Sequence, residues 1–187
     1  MNELLWFASR STGVVSIAML TIVVVLGLRT SGGRRPHRDA ATVGMALHRN
    51  LSLGTVVFLV VHVATAIAET YVEIDAVSAV VPFTSPFERV PVGLGTLAVD
   101  LLLTVTVTSL VRHRLSMVAW RRIHLLSHLL WPTAVVHGLL LGTAKEPVLR
   151  AITIGCAAVL AVVLLWRLRS SHADRDRRRA IGAQEWS

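Results

Sequence analysis

The sequence predicts an all-α membrane protein, a bundle of about five transmembrane helices with candidate ligand side chains in the bundle core. Three observations predict it. The chain of 187 residues is 53% hydrophobic and only 16% charged, too little charge for the surface of a soluble domain of this length. Five stretches approach the roughly 20 apolar residues that a helix needs to cross a ~30 Å hydrocarbon core. The arginines gather in alternate connections between those stretches.

Taken in order, the segments fall near 5–28, 41–68, 92–111, 121–143 and 148–168. Residues 11–28 and 50–68 carry no charge. Residues 90–111 carry only Asp100, residues 123–144 none, and residues 147–166 only Arg150. The first segment does not read as a cleaved signal peptide: its first charge is Glu3, the basic n-region is missing, and the apolar run exceeds an h-region. The connection 69–91 contains Val80-Val81-Pro82-Phe83 and Ser85-Pro86-Phe87, and its prolines and charges favour a segment at the interface over a crossing. Residues 1–169 thus form one membrane domain. Residues 170–187 read as a basic, disordered cytoplasmic tail. Cys156, the single cysteine, reads as helix packing.

The net charge of +8 is distributed as in a membrane protein. Arg29, Arg34, Arg35 and Arg38 lie between the first two segments, and Arg112, Arg114, Arg121 and Arg122 between the third and fourth. Arg167, Arg169, Arg175, Arg177, Arg178 and Arg179 follow the fifth. The other connections carry Glu69, Glu73, Asp75 and Glu88, then Lys145 and Glu146. This alternation places the N-terminus outside and the C-terminus in the cytoplasm of a multi-pass protein of the cell membrane. The basic end suits anionic lipid of the bilayer. No motif supports nucleic-acid binding.

Five of the eight histidines, His48, His62, His124, His128 and His137, fall in apolar segments. An ionisable side chain at membrane depth points to function, and imidazole is a usual axial ligand of haem iron. His48 and His62 stand 14 positions apart, about 21 Å along a helix and within roughly 40° of one face. His124 and His137 stand 13 apart, about 20 Å. The two segments run in the same direction, so His48 and His124 meet at the inner level and His62 and His137 at the outer. That arrangement makes two bis-histidine sites, suited to two b-type haems. Thirteen residues of ideal helix leave His124 and His137 about 140° apart, so the pairing calls for a kink at Trp131-Pro132. His128, one turn from His124, is the rival ligand.

The run Trp120-Arg121-Arg122-Ile123-His124 with His137 resembles the second ligand helix of ferric-reductase-like transmembrane domains. Arg10-Ser11-Thr12-Gly13, Leu47-His48-Arg49, Val81-Pro82-Phe83 and Thr108-Ser109-Leu110 resemble short stand-alone members of actinobacterial type. The resemblance covers most of residues 5–168. It implies haem b and transmembrane electron transfer. The chain is expected to lack the flavin and NAD(P)H domain that many relatives carry, so a separate flavoprotein or a quinol is the expected redox partner. The competing reading is a quinol-linked cytochrome b anchor for a separate oxidoreductase. Haem propionates are anionic, which nominates Arg49, Arg121 and Arg122 beside the inner ligands, with Arg10 and Arg89 as weaker candidates near the outer ones. Asp100, at the level of His62 and His137, is a candidate to bond a ligand imidazole or pass a proton. Gly93 and Gly95 are expected to allow a tight turn into the third segment.

Overall fold

The computed structural model describes residues 2–30, 38–70, 72, 74–142 and 146–184, with side chains described for 3–29, 40–70, 72, 74–142 and 146–169. Arg34, Arg35, His37, Glu73 and Lys145 lie outside the described residues, as do the side chains of Arg38, His172 and the arginines beyond Arg169. Six α-helices, α1 (Asn2–Thr30), α2 (Arg38–Ala68), α3 (Arg89–Leu110), α4 (Met117–His124), α5 (Ser127–Leu141) and α6 (Pro147–Gln184), and one 3-10 turn (Arg112–Arg114) are the helical elements of the described chain. Five spans among the described residues are long and apolar enough to cross a membrane, with α4 and α5 counting together as the span Met117–Leu141. The helix assignment of α6 runs through Gln184, past the Ser170 at which the sequence suggests a disordered tail.

The bundle is built from two helical hairpins. α1 packs antiparallel on α2, and α3 packs antiparallel on α4 and α5, while α6 closes the bundle against α1 and α5. One end carries the connections 69–88 and 142–146; we call it the loop end. The arginine end carries Arg29, Arg112, Arg114, Arg121, Arg122, Arg167 and Arg169. Arg167 donates to the Leu28 carbonyl and ties α6 to the end of α1. The apolar core of Leu20, Ala98, Leu102 and Leu130 lies midway between the two ends. Trp131 Nε1 donates to Thr21 Oγ1 at 2.9 Å beside it, joining α5 to α1.

The fourth span is broken where the sequence does not announce it. Ser116 caps α4, its hydroxyl accepting from Ala119 N at 3.2 Å, and α4 ends at His124. Through the following turn the backbone bonds tighten to i→i−3: Leu126 N to Ile123 O at 2.9 Å, His128 N to Leu125 O at 3.0 Å, Leu129 N to Leu126 O at 2.9 Å. Such turns advance about 120° per residue instead of 100°, so each adds rotation in the direction that brings His137 back toward the face of His124. Pro132 lies inside α5, which continues through it. The re-phasing expected at Pro132 therefore begins at Leu125–Leu126.

The connection 69–88 folds back on α3. Ser78, 1% exposed, accepts from Thr96 Oγ1 through its carbonyl at 2.6 Å and donates its N–H to Asp75 Oδ1 at 2.8 Å. Phe83 takes a left-handed φ of 65° and lies against Gly93, where a Cβ would come within 2.7 Å of the Phe83 nitrogen. Neither Gly93 nor Gly95 makes a turn: both lie inside α3, no described glycine has positive φ, and each admits a neighbouring ring.

Candidate functional site

Four histidines meet in two pairs across the gap between the hairpins. The rings of His62 and His137 have centroids 6.2 Å apart at the loop end. Those of His48 and His124 are 6.3 Å apart at the arginine end. The pairing is the one the spacing predicts.

Three of the four imidazoles are seated in one way. His62 Nδ1 lies 2.7 Å from the Ser9 carbonyl, His48 Nδ1 3.0 Å from the Val23 carbonyl, and His137 Nδ1 2.8 Å from the Pro91 carbonyl. A carbonyl only accepts, so Nδ1 carries the proton and Nε2 keeps its lone pair. Four residues after each of these carbonyls stands a glycine: Gly13, Gly27 and Gly95. A Cβ on Gly13 would lie 3.0 Å from the His62 ring, on Gly27 3.4 Å from His48, and on Gly95 2.5 Å from His137. The missing side chain makes a notch in the facing helix through which the imidazole reaches the carbonyl one turn back. Gly13 and Gly27 are spaced by 14, like His48 and His62 on the antiparallel partner.

The fourth imidazole departs from this pattern. Ser109, 14 positions after Gly95 on α3, stands where a fourth glycine notch would fall. Its Oγ lies 3.5 Å from His124 Nδ1 and accepts from Trp120 Nε1 at 3.4 Å. The Trp120 indole also stacks on the His124 ring at 5.2 Å. His124 is therefore supported by side chains, where the other three are supported by main chain.

A cavity borders the loop-end pair. His62 and His137 line it, and it runs from Leu20, Leu102 and Leu130 at mid-bundle outward to Arg10, Glu69 and Arg150. Arg10 lies over the Trp6 ring at 5.2 Å and donates to the Leu141 carbonyl. Of the other residues singled out in the sequence, Arg49, Arg121 and Arg122 are exposed beside the arginine-end pair. Arg89 is exposed and donates to the Phe83 carbonyl at 2.6 Å. Asp100 is partly buried and is not in the cavity wall. His128 is exposed, its Nδ1 3.1 Å from the Leu125 carbonyl of its own turn. Sequence reasoning gives no site role to Glu69, Arg150 or Gly27, quotes Ser109, Trp120 and Gly13 only within motifs, and assigns Gly95 to a turn. The shared 14-residue spacing of Gly13/Gly27 and His48/His62 is the signal that was there to find.

The model of the family described as ferric reductase like transmembrane component matches residues 12–140. The chain belongs to this family. The matched region holds all four paired histidines and all three notch glycines. Neither a curated protein nor a solved structure matches the chain. Family and spans together make this ferric-reductase-like protein a multi-pass membrane protein of the electron-transfer kind, and domains of its family usually bind haem.

Proposed function

We propose that the chain is a di-haem b electron-transfer protein that passes electrons from a cytoplasmic-side donor, a separate flavoprotein or a quinol, to an acceptor outside such as ferric iron. The observation that carries the reading is the geometry of the pairs. Two imidazoles bound through Nε2 to one iron, with metal–nitrogen bonds of roughly 2 Å, hold their centroids about 6.3 Å apart. The two pairs stand at 6.2 and 6.3 Å.

The donor set agrees. No group of three or more His, Cys, Asp or Glu gathers among the described residues. A metal held by two imidazoles must bring its remaining ligands, as a porphyrin does. When bound, the haem supplies one-electron chemistry. The chain supplies the rest. Ser9, Val23 and Pro91 fix three imidazoles in the tautomer that presents Nε2. Gly13, Gly27 and Gly95 set their depth. The Leu20, Ala98, Leu102 and Leu130 layer keeps water out between the levels. Arg10 at the loop end and Arg49, Arg121 and Arg122 at the arginine end are cations for propionates. The alternation of arginines supports a cytoplasmic arginine end.

Purified protein is expected to give two haems per chain by pyridine haemochrome, with a Soret band that moves on dithionite reduction. His62→Ala or His137→Ala removes one haem and leaves the other. A wild-type protein without haem would sink the reading, and a count unmoved by either substitution would sink the assignment of levels. A reporter enzyme fused after residue 187 should be active only on the cytoplasmic side.

A further inference from the structure

Glu69 is a buried carboxyl, one oxygen of which has no hydrogen-bond partner among the described residues. It is 8% exposed, its Oε2 is buried and unbonded among the described residues, and it lines the same cavity as His62 and His137. Its backbone N–H still donates to Thr65 O at 3.0 Å, so α2 geometry carries it. Seven residues separate it from His62, which is about 10 Å along the axis and roughly 20° in azimuth. The carboxyl therefore stands on the His62 face, two turns toward the loop end.

Arg10, whose charge acts on the carboxyl from the cavity wall, forms no described ion pair with it; one guanidinium N–H donates to the Leu141 carbonyl. A buried carboxylate left this way is costly. Burial pushes the Glu69 carboxyl above the usual carboxylate range, and the Arg10 charge opposes that only in part. The other charged or titratable groups in the wall are Glu146 before α6, Arg150 on α6, His62 on α2 and His137 on α5; α3 contributes none.

Resting on the reading that His62 and His137 hold a haem, we propose that Glu69 is the proton acceptor of the loop-end site, taking up one proton for each electron that arrives there. The step balances. With a haem held by His62 and His137, each electron arriving from the arginine-end site would be matched by one proton that the Glu69 carboxylate takes from the aqueous phase at the loop end, so that the net charge of the cavity would stay constant. A charge added in a low-dielectric cavity is felt strongly by a neighbouring carboxyl, and by linkage the proton favours the reduced iron by the same factor.

The test is a redox titration of each haem against pH in the purified, haem-loaded full chain. Proton uptake on reduction means that the loop-end potential falls as pH rises. The ratio of reduced to oxidised haem should drop by up to tenfold per pH unit, between the carboxyl's pKa in the oxidised and in the reduced protein. The arginine-end haem should show little of this slope. Glu69→Gln, which is isosteric and cannot titrate, should flatten the loop-end slope, while Glu146→Gln should leave it. A wild-type loop-end potential independent of pH would overturn the proposal, as would a slope that survives Glu69→Gln. If Glu69→Gln loses the loop-end haem, Glu69→Asp takes its place. It should move the pH range of the slope, and an unmoved range would count against the proposal. Two haems with no slope would defeat the proposal alone, whereas a chain without haem would defeat the underlying reading as well.

Discussion

The two histidine pairs have nearly the same separation and are built from different materials. At the loop end both imidazoles rest on main-chain carbonyls through glycine notches, Ser9/Gly13 and Pro91/Gly95. At the arginine end only His48 does so, through Val23 and Gly27. His124, the last residue of an eight-residue helix, has the Ser109 hydroxyl at 3.5 Å and the Trp120 ring instead. A main-chain carbonyl inside a helix moves only when the helix moves, whereas a hydroxyl on a rotatable side chain adjusts. The loop-end site is thus preorganised. The arginine-end site is adaptable, and it is the one that would face a cytoplasmic partner.

The largest effect should come from filling a loop-end notch. Gly95→Ala puts a Cβ 2.5 Å from the His137 ring, which is itself held to Pro91, so the ring must leave its seat. We expect loss of the loop-end haem with the other retained, read as a haemochrome count falling from two to one. Gly13→Ala, at 3.0 Å from His62, should weaken binding without abolishing it. Gly27→Ala, at 3.4 Å from His48, should be nearly silent, since that distance is ordinary contact. An inverted order among the three would break the notch account.

Next in size is the exchange of materials at the arginine end. Ser109→Gly should open a fourth notch and let His124 approach the Val105 carbonyl one turn back. Ser109→Ala should leave Nδ1 without its hydroxyl. The two variants are expected to move the low-spin electron paramagnetic resonance signal of the arginine-end haem in opposite directions, with the loop-end signal fixed. A hydrogen bond of this kind is worth about 0.5–1.5 kcal/mol, or roughly two- to tenfold in the haem's redox equilibrium. Equal shifts in both variants would show that Trp120, not Ser109, sets His124.

The difference between the pairs also explains what was legible in the sequence. The spans were legible because hydropathy over 20 residues is a one-dimensional property, and the four histidines because each is costly in an apolar run. Their levels followed from the 1.5 Å rise. The seats did not. A glycine in a membrane helix has many reasons to be there, and only the register of two antiparallel helices shows that Gly13 faces His62. The break at Leu125–Leu126 has no proline or glycine to mark it. It drew attention instead to Pro132, which α5 absorbs. The sequence nominates Arg10 only as a weaker candidate beside Arg89, yet of the five nominated arginines Arg10 is the one in the cavity wall beside His62 and His137. Glu69 was passed over as a loop charge; its burial is a property of the connection folded above it.

That connection covers the loop-end site, and its fastening supplies the smallest expected effects. Thr96 Oγ1 holds the Ser78 carbonyl at 2.6 Å inside a buried contact. Thr96→Val keeps the shape and leaves that carbonyl unpaired by the hydroxyl, a loss of about 1–3 kcal/mol where water cannot enter. It should speed release of the loop-end haem to apomyoglobin and leave the other rate unchanged. Asp75 acts on the same residue from the exposed side. Ser78, whose backbone N–H donates to the carboxyl at 2.8 Å, holds Asp75 below the usual carboxylate range. A depressed carboxyl stabilises the folded connection fully above its unfolded pKa of about 3.9, and that contribution is lost as pH falls through the lower folded value. At neutral pH the contact is intact, so Asp75→Asn should reproduce the acid state: slightly faster proteolysis of the connection, with both haems in place. If Asp75→Asn released the loop-end haem as fast as Thr96→Val, the cover would be held from its exposed rim, and the buried Thr96 contact would not be what separates the two sites.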